Sequence, residues 1–241
     1  MILHQMKKPT VLLLLFLAVS LRVNAQTKQV AGIFPTIDHS GEISKKLEYS
    51  FYYFGALPLV NLKKPDFGND DALLLFYAEQ ALTYKFSPKF SVTGSYVYQR
   101  ENALNENFVN ENRIHIQATY KHKLQNLDLK HRVRLDNRFV QNRVTKETPY
   151  THRLRYLLGV ELPLGDKTYF TAYEEAFFNT FKGASAVYGE NWAYAAVGWK
   201  INDQHKIETG PLYIIWNTGT NSWFHQYYWQ FTWISHVNFN Q

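Results

Sequence analysis

Between Leu127 and Asn179 the chain changes character at every second residue. In LDLKHRVRLDNRFV, Leu127, Leu129, Val133, Leu135 and Phe139 share one parity, and Asp128, Lys130, Arg132, Arg134, Asp136 and Arg138 share the other. In the next apolar stretch Tyr156, Leu158, Val160 and Leu162 oppose Arg153, Arg155 and Glu161. Side chains on a strand point alternately to opposite faces, so each ribbon is oily on one side and charged on the other. Two all-β folds accept such ribbons. A soluble sandwich buries the oily face and leaves the polar face in water. A transmembrane β-barrel turns the oily face to lipid and encloses the polar one.

The first 25 residues point to an exported protein. Lys7 and Lys8 precede the apolar run Val11 to Leu21, and Val23-Asn24-Ala25 supplies small residues for cleavage. The run is shorter than the roughly 20 apolar residues of a spanning helix, so residues 1–25 read as a cleavable signal peptide. Its removal takes the formal charge from +6 to +3, because Lys7, Lys8 and Arg22 leave with no acid. So small a basic excess gives no support to nucleic-acid binding. The absence of Cys removes disulfides, thiolate metal sites and a lipoprotein anchor. No cofactor and no metal is expected. Aromatic residues make up 17% of the chain, yet mean hydropathy is −0.35. An outer-membrane barrel needs both, with aromatic girdles outside and a polar lumen within.

Residues 26–42 form a lead-in, read as a periplasmic or luminal segment or a short extra strand. Pro35 argues against a central strand there, and Ser40-Gly41 reads as a turn. Residues 43–241 alternate as a barrel domain. Short turns at Ser87, Gln125, Gly165 and Asp203 interleave with longer polar loops around Asp66, Asn105, Thr145, Ala184 and Thr218. The aromatic final strand runs from Tyr227 to Phe239. The expected fold is an antiparallel transmembrane β-barrel of about ten strands, or twelve if the lead-in contributes. The soluble periplasmic, ligand-binding β-sandwich stays open as the alternative.

The lead-in IFPTIDHSG, the strands HRVRLDNRF and THRLRYLLGVELPL, the strand YEEAFFN and the hairpin GENWAYAAVGWKI carry a resemblance. Together they resemble the outer-membrane barrel family known as domain-of-unknown-function family 2490. The resemblance spans nearly the whole mature chain. It implies fold and location in the outer membrane of a Gram-negative envelope, and it transfers no catalytic residue.

The lumen candidates are Arg113, His115, Arg132, Arg134, Asp136, Arg138, Arg153, Arg155, Glu161 and one of Glu174 and Glu175, with Glu175 preferred. Adjacent strand residues face opposite ways, so Glu174 and Glu175 cannot form an acid pair. Arginine and carboxylate rows in a narrow lumen neutralise one another. That favours a largely filled barrel with a structural role or a narrow conduit for small solutes. A membrane-embedded hydrolase acting on lipid or peptide is the alternative, since His115, His122, His131, His152, His205, His225 and His236 accompany Ser91, Ser95 and Ser235. No nucleophile-elbow or zinc-helix motif supports it, and no catalytic residue is assigned. The expected partners are outer-membrane lipid and the barrel-assembly machinery, with no nucleic acid and a monomeric state.

Overall fold

The structure, a computed structural model, describes residues 26–63, 73–180, 187–219 and 222–238. The expected signal peptide, the loop around Ala184 and Phe239 lie outside these residues. Eleven strands run in chain order: β1 Gln26–Ser44, β2 Leu47–Lys63, β3 Leu75–Lys85, β4 Phe90–Glu101, β5 Val109–Leu124, β6 Leu127–Val140, β7 Tyr150–Pro163, β8 Thr168–Thr180, β9 Val187–Lys200, β10 His205–Gly219 and β11 Ser222–Asn238. They close into a single barrel. Consecutive strands pair antiparallel, and β1 closes on β11 in parallel. Parity dictates that closure, because in an up-and-down meander the first and last of an odd number of strands point the same way.

The expected ten or twelve strands are therefore corrected to eleven. The lead-in supplies one strand. Residues 26–42, read as a separate segment, form most of β1, and the turn falls at Lys45–Lys46 instead of Ser40-Gly41. Pro35 is accommodated where the ladder lapses: β1 and β2 pair at Ile33↔Leu57 and next at Thr36↔Phe54, with no pair at Phe34–Pro35. β10 treats Pro211 alike, pairing with β9 at Thr209↔Val197 and next at Leu212↔Tyr194. Gly32 and Gly210 allow the strands to crowd here, since a Cβ on either would lie 2.0 Å from a carbonyl oxygen, that of Leu57 or of Ala195.

Closure also overturns the sandwich alternative, for the described residues form one cylinder with no second sheet to cover the oily face. On β5, Ile114 and Ile116 are 55% and 61% exposed, while Arg113 and His115, which alternate with them, are 2% and 0% exposed. On β6 Val133 and Leu135 are exposed while Arg134 and Asp136 are buried, and on β7 Tyr156 is exposed while Arg153 and Arg155 are buried. The interior is itself divided. An apolar cluster that includes Phe34, Phe54, Tyr77, Leu212 and Tyr228 fills the side of β1–β3 and β9–β11. The charges gather on β5 to β8.

Short connections crowd one rim, at residues 45–46, 86–89, 125–126, 164–167 and 201–204. The opposite rim carries longer connections at 102–108 and 141–149, and the loop expected around Asp66 lies outside the described residues. The loop expected around Thr218 is instead strand, with β10 reaching Gly219 and β11 starting at Ser222. Val187 to Gly189, expected in a loop, open β9. Exposed rings mark both rims: Tyr84, Phe86, Phe90 and Trp199 by the short turns, and Phe139, Tyr150 and Tyr188 by the longer connections.

The parallel seam is open to a direct check, because the chain has no Cys of its own. Ala31→Cys with Tyr227→Cys, which face each other across β1 and β11, should form a disulfide on mild oxidation. Ala31→Cys with Phe231→Cys, displaced by four residues, should not, and gel migration before and after reduction reads the difference.

Candidate functional site

Period-two alternation on β5 to β8 sends one parity inward, and pairing register then sets which inward groups meet. Glu111 on β5 takes both Nε and Nη2 of Arg138 at 2.7 Å. It also accepts from Arg113 on its own strand, 2.7 Å from Nη2. Asp136 is 0% exposed and faces Arg153 at 3.0 Å, Arg113 at 3.7 Å and Arg155 at 3.8 Å. Arg153 reaches on to Glu190 at 3.1 Å. Glu175 holds Arg155 through a bidentate pair of 2.9 and 2.8 Å and Arg132 at 2.7 Å. Arg134 donates to Gln117 at 2.9 and 2.7 Å and meets Glu79 at 3.4 Å. His115 stands between Glu79 and Asp136, at 3.5 and 4.0 Å.

These contacts form one connected web. Paired guanidinium and carboxylate groups at such distances make charge-assisted, partly bidentate bonds that fix geometry as well as charge. Of the candidates read from the sequence, Arg113, His115, Arg132, Arg134, Asp136, Arg138, Arg153, Arg155 and Glu175 all belong to the web. Glu161 lines the same cavity but makes no ion pair among the described residues. Glu174 points outward, opposite in parity to Glu175, and accepts from Asn191 Nδ2 at 3.1 Å. Three partners escaped the sequence reading: Glu79, Glu111 and Glu190. Glu111 carries a usable signal, sharing the parity of Arg113 two residues away. Glu79 lies in a stretch with helical composition, and Glu190 lies beside a loop.

A cavity of about 530 Å³ runs beside the web, walled by Arg132, Arg134, Arg155 and Glu175 on one side and by Phe34, Phe54 and Trp192 on the other. Lys130 lines it without an ion partner among the described residues. A family described as proteins of unknown function, DUF2490, matches residues 66–226. The chain belongs to the DUF2490 family. No curated protein matches it. The DUF2490 match covers β3 to β10 and the first residues of β11, and so includes every strand that contributes to the charge web.

The register also brings together residues that a hydrolase would use. Ser95, His115 and Asp136 occupy one row across β4, β5 and β6. All three are buried, neither ring nitrogen of His115 makes a hydrogen bond, and none of the three lines the cavity. A nucleophile and base need hydrogen-bond contact and access to substrate, so this row braces the wall. At the short-turn rim Ser40 Oγ lies 2.8 Å from His236 Nδ1, and Glu42, Glu48 and His236 converge. Lys85 already meets both carboxylates there, at 3.0 and 2.9 Å.

Removing the hub should be costly. Asp136→Ala leaves three buried guanidinium groups facing one another and should destabilise the barrel by about 3–5 kcal/mol. Lys123→Ala, whose pair with Asp128 is exposed at the rim, should change stability by less than about 1 kcal/mol. Urea unfolding of the folded protein measures both.

Proposed function

We propose that this DUF2490 protein is a monomeric outer-membrane β-barrel, exported by a signal peptide over residues 1–25 and inserted by the barrel-assembly machinery. Its interior is braced by the arginine–carboxylate web and leaves a narrow conduit for small solutes. The observation that carries this reading is the inverted facing of β5 to β7. Ile114, Ile116, Val133, Leu135 and Tyr156 are turned outward while Arg113, Arg134, Asp136 and Arg155 are enclosed. Leaving that belt in water would forgo the main driving force of folding, whereas hydrocarbon accepts it. Strands of 11 to 19 residues meet the roughly 9–11 that a tilted spanning strand requires. The two zones of exposed rings match the girdles expected at the membrane interfaces.

The conduit reading follows from size and lining. Barrels of about eight strands are filled by side chains and those of about sixteen hold a water channel. Eleven strands leave a cavity of about 530 Å³ with both signs of charge on its wall. Such a lining suits small polar solutes and opposes bulk flow of ions of one sign.

Fractionation should place the protein in the outer membrane, with a folded band that shifts on boiling; release in soluble form would overturn the proposal. In planar bilayers the refolded barrel should give small conductance steps, and Glu175→Ala, which frees Arg132 and Arg155, should enlarge them and raise anion selectivity. Ile116→Arg, whose cross-strand neighbours are Gly94 and Leu135, should cost about 2–4 kcal/mol of stability in vesicles. Leu158→Arg should cost less, because Glu174 lies directly across from it and can take the new charge.

A further inference from the structure

The wall of the barrel is weakest at one height. The β1–β2 ladder skips Phe34–Pro35, and the β9–β10 ladder skips Gly210–Pro211. The two lapses are level with each other, since Phe34 pairs with Gln230 of β11, which pairs with Gly210 of β10. A panel of three strands, β1, β11 and β10, thus lacks ladder pairs along both edges at the same row, while keeping its register and close backbone packing. Proline offers no N–H for the ladder at either place. Backbone left unpaired against hydrocarbon is expensive, so a lapse in a spanning wall calls for a reason.

The two sides of the wall supply one. Outside, an apolar groove of about 650 Å³ crosses the lapse, with Pro35 and Gly55 among its lining and Ile37, Leu57, Phe76 and Phe231 around them. Inside, directly behind Pro35, the cavity wall is aromatic. Phe34 stacks on Phe54 with centroids 4.6 Å apart, and Trp192 meets them edge-on at 5.9 and 5.8 Å. Phe54, Glu208 and Thr232 line both the groove and the inner cavity. Only the wall of the barrel at these residues separates the two spaces.

We propose that this is a lateral port for lipid: one acyl chain lies in the outer groove, passes between β1 and β2 at Pro35 and rests against Phe54 and Trp192. The port rests on the membrane-spanning reading above. Its occupant follows from the outer groove, whose lining is apolar apart from Glu208, Thr36, Thr209 and Thr232, and from the aromatic rings of Phe34, Phe54 and Trp192 behind Pro35. The skipped stretch is two residues, roughly 7 Å along the strand, so β1 and β2 need part over only that length to pass one hydrocarbon chain, and a folded partner is excluded.

Contact quenching by bromine tests the port. Two single-tryptophan proteins, one keeping Trp192 and the other keeping the outward Trp229, are refolded into phosphatidylcholine vesicles with or without brominated acyl chains. Each also carries Pro35→Cys and Gly55→Cys, so that oxidation staples the lapse and reduction reopens it. With the staple reduced, Trp192 should lose emission in brominated vesicles to an extent comparable with Trp229. Oxidation should return Trp192 to its unbrominated intensity and leave Trp229 quenched. If replacing the other tryptophans by Phe prevents folding, the same quantity is the difference in quenching between the staple protein and its Trp192→Phe variant. Trp192 unquenched beside a quenched Trp229 overturns the port and leaves the spanning barrel standing. Quenching of Trp192 that persists under the staple also overturns it. If neither tryptophan is quenched, the spanning reading fails as well.

Discussion

Charge neutrality inside a closed cylinder is the constraint on which this structure depends. Once the sheet closes, every inward arginine on β5 to β7 loses access to bulk water and must find its counter-charge on the same inner surface. Desolvating a guanidinium is tolerable only with a carboxylate in hydrogen-bond contact and its remaining donors satisfied. Glu111, Asp136 and Glu175 each meet that need for more than one arginine. Shared carboxylates tie neighbouring strands to one another through their side chains, beside the backbone ladder. The charge web and the barrel closure are thus two aspects of one arrangement.

The division of the interior follows from that economy of space. Rows of arginine crowd β5 to β7, and the opposite wall is given to aromatic rings. Phe177 joins the two halves, lying under Arg153 at 4.8 Å and under Arg155 at 4.2 Å. A ring face attracts a cation, so such contacts soften the boundary between charged and apolar halves. The cavity runs along this boundary, where neither half fills the space completely.

Local pattern made the strands legible and left their partners obscure. The parity of Arg132, Arg134, Asp136 and Arg138 is written in their spacing, and so are their faces. Which carboxylate each one meets depends on register between strands and on closure, which no window of adjacent residues encodes. That is why Glu79 and Glu190, far from the arginines in sequence, were missed. The Glu174–Glu175 choice was hidden by a second effect: Tyr173 and Phe177, which share the parity of Glu175, face inward, so an oily residue on this strand does not mark the outer face. β1 was misjudged through Pro35. The rule that proline avoids central strands holds in its physics, because the ladder does lapse there, but the strand continues on both sides of the lapse.

The parallel seam between β1 and β11 has a consequence for how the ring is completed. Every other boundary can grow by a hairpin folding back on the strand just laid down. The last boundary joins segments from the two far ends of the fold, running in the same sense, so it forms only after the intervening chain has curled through a full circle. Gln26 then emerges beside the longer connections and Asn238 beside the tight turns. A tag fused ahead of β1 and another fused after β11 would stand at opposite rims of the barrel.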